Sequence, residues 1–278
     1  MKRIALSRPG IAVAVSALSL ILATGCSDSG SDSGSKDGDK AAGSDKSTTA
    51  AKTLTAAELK DRVIATADVD GYKVGPADQS EGFASSKDDV KVVDEKCAPI
   101  AYVVTGFAPG DSAAYVNRMA TQEVSASPSA SSTKSMEDMT DEELDDAMKS
   151  ITDALGATVT IVSLSSYEGD GAKETMSSVS DAIKGCASGF KATAKGDTQK
   201  FTKVEAEKAS GSGDESLAFA VTGDAEGDKV VVHGEVVRHG STVATYYTLS
   251  LAAFADGATA GDYTIPAEII KAQAAKLA

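Results

Sequence analysis

The hexapeptide Ile21-Leu22-Ala23-Thr24-Gly25-Cys26 decides which part of this chain is left to fold, and in what redox surroundings it does so. It closes a segment in which Lys2, Arg3 and Arg8 precede an apolar run from Ile11 to Ala23, and Gly25 is the small residue a signal peptidase needs before its cut. The pattern predicts that residues 1–25 are a lipoprotein signal peptide and that Cys26 becomes the first residue of the mature chain, with a diacylglyceryl group on its thiol. Such an anchor holds by burying acyl CH₂ groups, which sets the rest of the chain on the extracytoplasmic face of a cell membrane. The alternative is a retained transmembrane helix. That would take about 20 apolar residues to cross a core of about 30 Å, and the uninterrupted run is shorter. Export in the folded state would want adjacent arginines, and Arg3 and Arg8 are separated.

Export limits what the remaining cysteines do. The chain has 3 cysteines; with Cys26 taken by lipid, Cys97 and Cys186 are left. In an oxidising compartment two thiols most simply pair with each other, the alternative being two separate buried thiols. The formal charge is −14, and loss of Lys2, Arg3 and Arg8 with the signal peptide deepens it. Such a surface repels nucleic acid and anionic head groups, so nucleic acid is not an expected partner. The bias toward Ala, Gly and Ser, with Trp absent, suits a secreted protein of a high-GC actinobacterium.

Along the chain, residues 26–53 open with Ser-Asp-Ser-Gly repeats and carry almost no large apolar side chain. They cannot bury enough surface to offset ordering entropy and are expected to be a flexible tether with a mean reach of about 30 Å. Residues 54–278 are expected to form one domain. It begins at Thr55-Ala56-Ala57-Glu58, a capping box that opens a helix through Ala67 with Leu59, Val63 and Ile64 on one face. An extended run starts at Tyr72. Val90, Val92 and Val93 precede Cys97, and Pro99 starts a short helix through Val103. Ala114 to Val124 reads as a strand. A Ser-rich stretch near 125–139 reads as an exposed loop, either bare or carrying O-linked sugars.

A second capping box, Thr140 to Glu143, opens a helix with Leu144, Met148, Ile151 and Leu155 as its apolar positions. After an extended segment through Val159, Ile161 and Leu164, the spacing of Met176, Val179, Ile183, Cys186 and Phe190 predicts an amphipathic helix with Cys186 in its buried stripe. A partner buried beneath that stripe would place the segments on both sides of the Ser-rich loop in one unit. The last third reads as an antiparallel meander: Leu217 to Val221, Val230 to Arg238, a tight turn at His239-Gly240, and Val243 to Leu251. On the third of these strands Ala244, Tyr246, Thr248 and Ser250 form a small, polar face, as expected of a sheet covered on one side only. Pro266 opens a final helix with Ile269 and Ile270 inward.

Local signatures of chemistry are sparse. His233 and His239 have no third ligand beside them, and His239 falls at the predicted turn, so no metal site is assigned. No Gly-x-Ser-x-Gly elbow, phosphate loop, dinucleotide fingerprint or Cys-x-x-Cys occurs, so neither catalytic residues nor a cofactor is assigned. Asp68-Val69-Asp70-Gly71 resembles part of a calcium loop, but the first and twelfth positions would be Thr66 and Ala77. Glu142, Glu143, Asp145 and Asp146 read as a solvated helix start with favourable dipole contacts.

Ala67-Asp68-Val69-Asp70-Gly71-Tyr72 after the opening helix, Cys97-Ala98-Pro99-Ile100 at the start of a short helix, the helix bearing Cys186, and the closing hairpin and helix together resemble actinobacterial lipoproteins and the PknH-like extracellular sensor domains of receptor kinases. The resemblance implies an α+β fold, an antiparallel sheet with helices packed on one face and a groove on the other that binds an envelope ligand of unknown identity without catalysis. A lipid or glycolipid carrier lipoprotein, holding acyl chains between sheet and helices, is the alternative. It predicts a large apolar cavity.

Overall fold

The computed structural model describes residues 52–77, 84–124, 139–225, 228–254 and 262–278. Cys26, the tether as far as residue 51 and the Ser-rich stretch from 125 to 138 lie outside the described residues. Within Thr48–Ala278, which clusters as one unit, the elements follow from local sequence chemistry. The Thr55 hydroxyl accepts from the Glu58 N–H at 3.3 Å while the Glu58 carboxylate accepts from the Thr55 N–H at 2.9 Å, opening α1 (Ala56–Arg62). The helix ends before the expected Ala67 because Val63 turns extended, at φ −74° and ψ 147°. Val63 and Ile64 are still buried beyond its end. A 3₁₀ turn over Thr66–Asp68 follows, its Ala65 N–H donating to the Asp68 carboxylate at 2.7 Å.

Strands β1 (Tyr72–Gly75) and β3 (Ala114–Gln122) and helix α2 (Ala98–Val104) occupy the positions read from sequence, and a short strand, β2 (Lys91–Val92), not read there, lies between β1 and α2. Helix α3 (Asp141–Gly156) starts at the Thr140–Glu143 capping box. Met148, expected inward, is 56% exposed, so the amphipathic spacing of α3 does not translate into burial at that turn. Strand β4 (Thr158–Ser166) leads to α4 (Gly171–Gly185), which buries Met176, Val179 and Ile183 and ends with Cys186 as its cap.

Phe190 is not the last residue of that helical stripe. Gly189, at φ +86°, reverses the chain, and Phe190 opens β5 (Phe190–Ala194). The two-residue turn Lys195-Gly196, both at positive φ, joins β5 to β6 (Asp197–Glu207). Then come β7 (Glu215–Ala225), β8 (Asp228–His239), β9 (Thr242–Ser250) and α5 (Ala267–Leu277). The β8–β9 turn is Gly240-Ser241, one residue later than expected, with His239 paired to Thr242.

The strands form one 9-stranded antiparallel sheet in the order β1-β3-β4-β9-β8-β7-β6-β5-β2. The α+β class is therefore the one read from sequence, but the helices are not confined to one face. On one side Ile100 and Val103 of α2 and Met176 and Val179 of α4 pack with Phe219, Val221, Val236 and Val243. On the other, Leu59 of α1 and Ile269 and Ile270 of α5 pack with Val162, Leu164, Ala244 and Tyr246.

The small, polar side of β9 is the reason for the correction. The Thr248 and Ser250 hydroxyls do not need water, because they find partners inside. The Thr248 and Thr160 hydroxyls, both fully buried, share a hydrogen bond of 2.7 Å across β9 and β4, and the Ser250 hydroxyl accepts from the Ala252 N–H at 3.3 Å. With those hydroxyls satisfied, α1 and α5 cover that face of the sheet and pack with Ala244 and Tyr246. No helix among the described residues is long and apolar enough to cross a membrane.

Candidate ligand-binding groove

Cys97 closes a 3₁₀ turn (Glu95–Cys97) and starts α2, while Cys186 caps α4; their Cα atoms are 5.9 Å apart with the sulfurs at bonding distance. Both residues are 1% exposed, so the link lies inside the core beneath α2 and α4 rather than on the surface.

Next to this link is a groove of about 290 Å³. One wall is Val93-Asp94, which follows β2 and is held to the sheet where the Val93 N–H donates to the Lys191 carbonyl at 3.1 Å. The other is Ser188-Gly189, just after Cys186. Each wall is within a few residues of a linked cysteine. Phe190 and Phe201 pair across β5 and β6 with ring centroids 4.6 Å apart and line the floor. Gly189 is fixed by more than its φ: a Cβ there would stand 2.1 Å from the Phe201 carbonyl oxygen, so the backbones approach as only glycine permits. The register of β6 against β7 shifts between Phe201 and Lys203, a bulge that bends the strand beside the groove. Lys191 and Lys200, directly opposed across β5 and β6, complete the lining.

A second pocket, about 230 Å³, opens where the chain enters the domain. It is lined by Lys52, Leu54, Arg62, His239, Ser241 and Leu277 among others. Its polar groups are largely committed to the fold. The Lys52 ammonium donates to Glu58 at 2.5 Å and, with the Thr55 N–H, holds the Glu58 pKa down at about 2. The Ser241 hydroxyl donates to the Lys52 carbonyl at 2.7 Å. Burial lowers the His239 pKa.

The remaining residues singled out from sequence are also structural. His233 Nδ1 lies 2.9 and 3.1 Å from the two Glu207 carboxylate oxygens, with the Tyr263 ring edge-on at a centroid distance of 4.9 Å. Among the described residues no three His, Cys, Asp or Glu side chains are grouped to hold a metal ion. Asp68 spends its carboxylate on the Ala65 N–H and the Lys276 ammonium, which lower its pKa in that order. Glu143 closes the capping box at Thr140. The groove itself went unnoticed in sequence because β5 and β6 did. The signal that would have found it is the Lys195-Gly196 turn between Phe190 and Phe201.

No family model matches the chain, and no curated protein matches it. Among solved structures it is similar to the crystal structure of the extracellular domain of PknH from Mycobacterium tuberculosis, at 12% identity and a TM-score of 0.46, over 81% of this chain and 95% of that one.

Proposed function

We propose that this chain is a cell-envelope lipoprotein, anchored through Cys26, whose extracytoplasmic α+β domain binds a ligand as a sensor-like module and performs no chemistry. The observation that carries the reading is the combination of the lipobox-like Ile21–Cys26 with the placement of the two other cysteines. They are buried and at disulfide distance, as suits a domain that folds in an oxidising compartment. The groove beside that link supplies a surface with a mixed apolar and charged lining, the kind that holds small ligands. Glu207 with His233 and Asp68 with Lys276 form pairs that fix strands and turns.

An acyl-chain carrier would need open space between sheet and helices. Among the described residues those layers are instead filled by Val162, Leu164, Tyr246 and Ile269 on one face and by Met176, Phe219 and Val236 on the other, each 0% exposed.

Native mass spectrometry of the full chain purified from membranes, followed by organic extraction, tests the reading. A small molecule that leaves on extraction, one per chain, supports it. A long-chain lipid held by the domain would favour the carrier, and Cys26→Ser should release the protein or leave its signal peptide uncut.

A further inference from the structure

The pocket of about 230 Å³ where the chain enters the domain departs from the rest of the molecule in charge. The chain has a formal charge of −14, yet no Asp or Glu stands among the residues that line this space. Its walls belong to one face of the sheet. His239 and Thr242 oppose each other across β8 and β9, in phase with the Val237–Ala244 pair that packs with α1 and α5. Leu54 and Leu277 pack against that same core, and Arg62 ends α1. The lining is held in place before anything binds. The Ser241 hydroxyl donates to the Lys52 carbonyl at 2.7 Å, the Leu54 N–H donates to the Ser166 hydroxyl at 2.7 Å, and the Thr53 hydroxyl donates to the Tyr167 carbonyl at 3.1 Å.

The carboxylates around the pocket are spent on other groups. Glu58 pairs with Lys52 at 2.5 Å, Asp214 with Arg238 at 2.9 Å and with the Gly240 N–H at 2.7 Å, and Asp68 with Lys276 at 3.1 Å. Asp61 precedes Arg62 in α1, and adjacent helical residues do not face each other. Arg62 is the one lining cation not committed to the fold. Its carbonyl accepts from the Gln273 amide, but among the described residues its guanidinium has no ion-pair or hydrogen-bond partner. Burial holds the His239 pKa below its ordinary 6.5, so at pH 7 the ring adds polarity to the wall and little charge.

We propose that this pocket binds a small organic acid, whose carboxylate pairs in a fork with the Arg62 guanidinium and whose apolar body lies against Leu54 and Leu277. One unpaired guanidinium matches one carboxylate in charge and in geometry. Lys52, already shared with Glu58, adds its field without being the main partner. The volume is below the range of about 300 to 1,000 Å³ usual for drug-sized ligands, so the acid is compact, a single ring or a short aliphatic chain. The site is built from other elements than the groove beside the Cys97–Cys186 link, and it goes beyond the envelope-ligand reading rather than resting on it.

Benzoate carries both recognition elements, acetate has only the carboxylate, and benzyl alcohol has only the ring. Titration calorimetry on the full chain in neutral detergent is expected to show benzoate binding about ten-fold tighter, or more, than either partial probe. Hydrogen exchange should show protection at residues 52–62 and 239–242. Arg62→Gln should reduce benzoate affinity about ten-fold or more while leaving the urea midpoint in place, because the guanidinium has no partner in the fold to lose. Arg62→Lys, which keeps the charge and loses the fork, should fall between the two. Leu277→Ala should weaken benzoate more than acetate, and Lys184→Gln at the end of α4 should change nothing.

Absence of saturable benzoate binding, equal affinity for benzoate and acetate, or binding indifferent to Arg62→Gln overturns the proposal. If benzoate does not bind but a molecule extracted from purified protein protects a different surface, the pocket assignment falls and the envelope-ligand reading stands. If nothing co-purifies and no probe binds, both fall.

Discussion

Replacing Cys97 and Cys186 together by alanine removes the one covalent tie between the two ends of an 89-residue span. In the chain-entropy picture, closing a loop of that length restricts the unfolded chain enough to contribute about 4 to 5 kcal/mol to stability. Native-state strain would reduce that figure, while deletion of two buried sulfurs adds to the loss on substitution. With a urea dependence of about 2 to 3 kcal/mol per molar, the unfolding midpoint of the double variant should fall by about 2 M. The assay is equilibrium urea unfolding followed by far-UV circular dichroism. The oxidised parent, the parent reduced with a strong thiol and the double variant should give one high midpoint and two low ones. Coincident midpoints for all three, within a spread worth less than about 1 kcal/mol, would refute the argument that this link restrains the unfolded chain.

Gly189→Ala forces a side chain into a left-handed backbone position where its Cβ would stand 2.1 Å from the Phe201 carbonyl oxygen. A loss of at least about 2 kcal/mol in urea unfolding is expected, and a neutral result would contradict the close approach at the groove. Gln273 is fully buried, accepting from the Ile64 N–H at 3.0 Å and donating to the Arg62 carbonyl at 2.8 Å. Gln273→Leu strands both backbone groups at the α1–α5 contact and should cost about 2 to 4 kcal/mol; a thermal midpoint equal to the parent's would count against it. Because burial lowers the His239 pKa below its ordinary 6.5, the unfolded chain takes up a proton there before the folded one does. The stability it supports is complete above pH 6.5 and is lost as pH falls through the folded pKa. His239→Gln should flatten the midpoint-against-pH curve just below 6.5, and an unchanged slope there would rule the group out.

Where capping chemistry or strict alternation was present, the sequence could be read directly. Thr55 and Glu58, Thr140 and Glu143 and Pro99 took the roles their types dictate, and β7 to β9 form the meander that their alternation predicts. The stripe from Met176 to Phe190 shows where periodicity ran past its element: Phe190 is in phase with the helix, but Gly189 had already reversed the chain. Strands β5 and β6 were hidden because β6 is largely exposed on both sides and so lacks an apolar alternation, a consequence of lying near the sheet's far edge.

The second covered face was hidden for another reason. Thr248, Ser250 and Thr160 look like solvent-facing residues until the partners that satisfy their hydroxyls across strands are known. Burial of small hydroxyl side chains depends on pairing between β4 and β9, and that contact is remote in sequence. The groove inherits the same difficulty, since the opposition of Lys191 and Lys200 exists only once the β5–β6 register is fixed.

The claim on which the functional account depends is that Cys26 is the lipid-bearing first residue of the mature chain. Mass spectrometry of the N-terminal peptide, prepared from protein extracted from membranes of the producing cell, tests it most directly. The account predicts a peptide that begins at Cys26 and carries the mass of a diacylglyceryl group, which alkaline hydrolysis of the ester-linked acyl chains reduces to a glyceryl thioether. A peptide that begins at Met1, or one that begins at Cys26 with a free thiol, would contradict it.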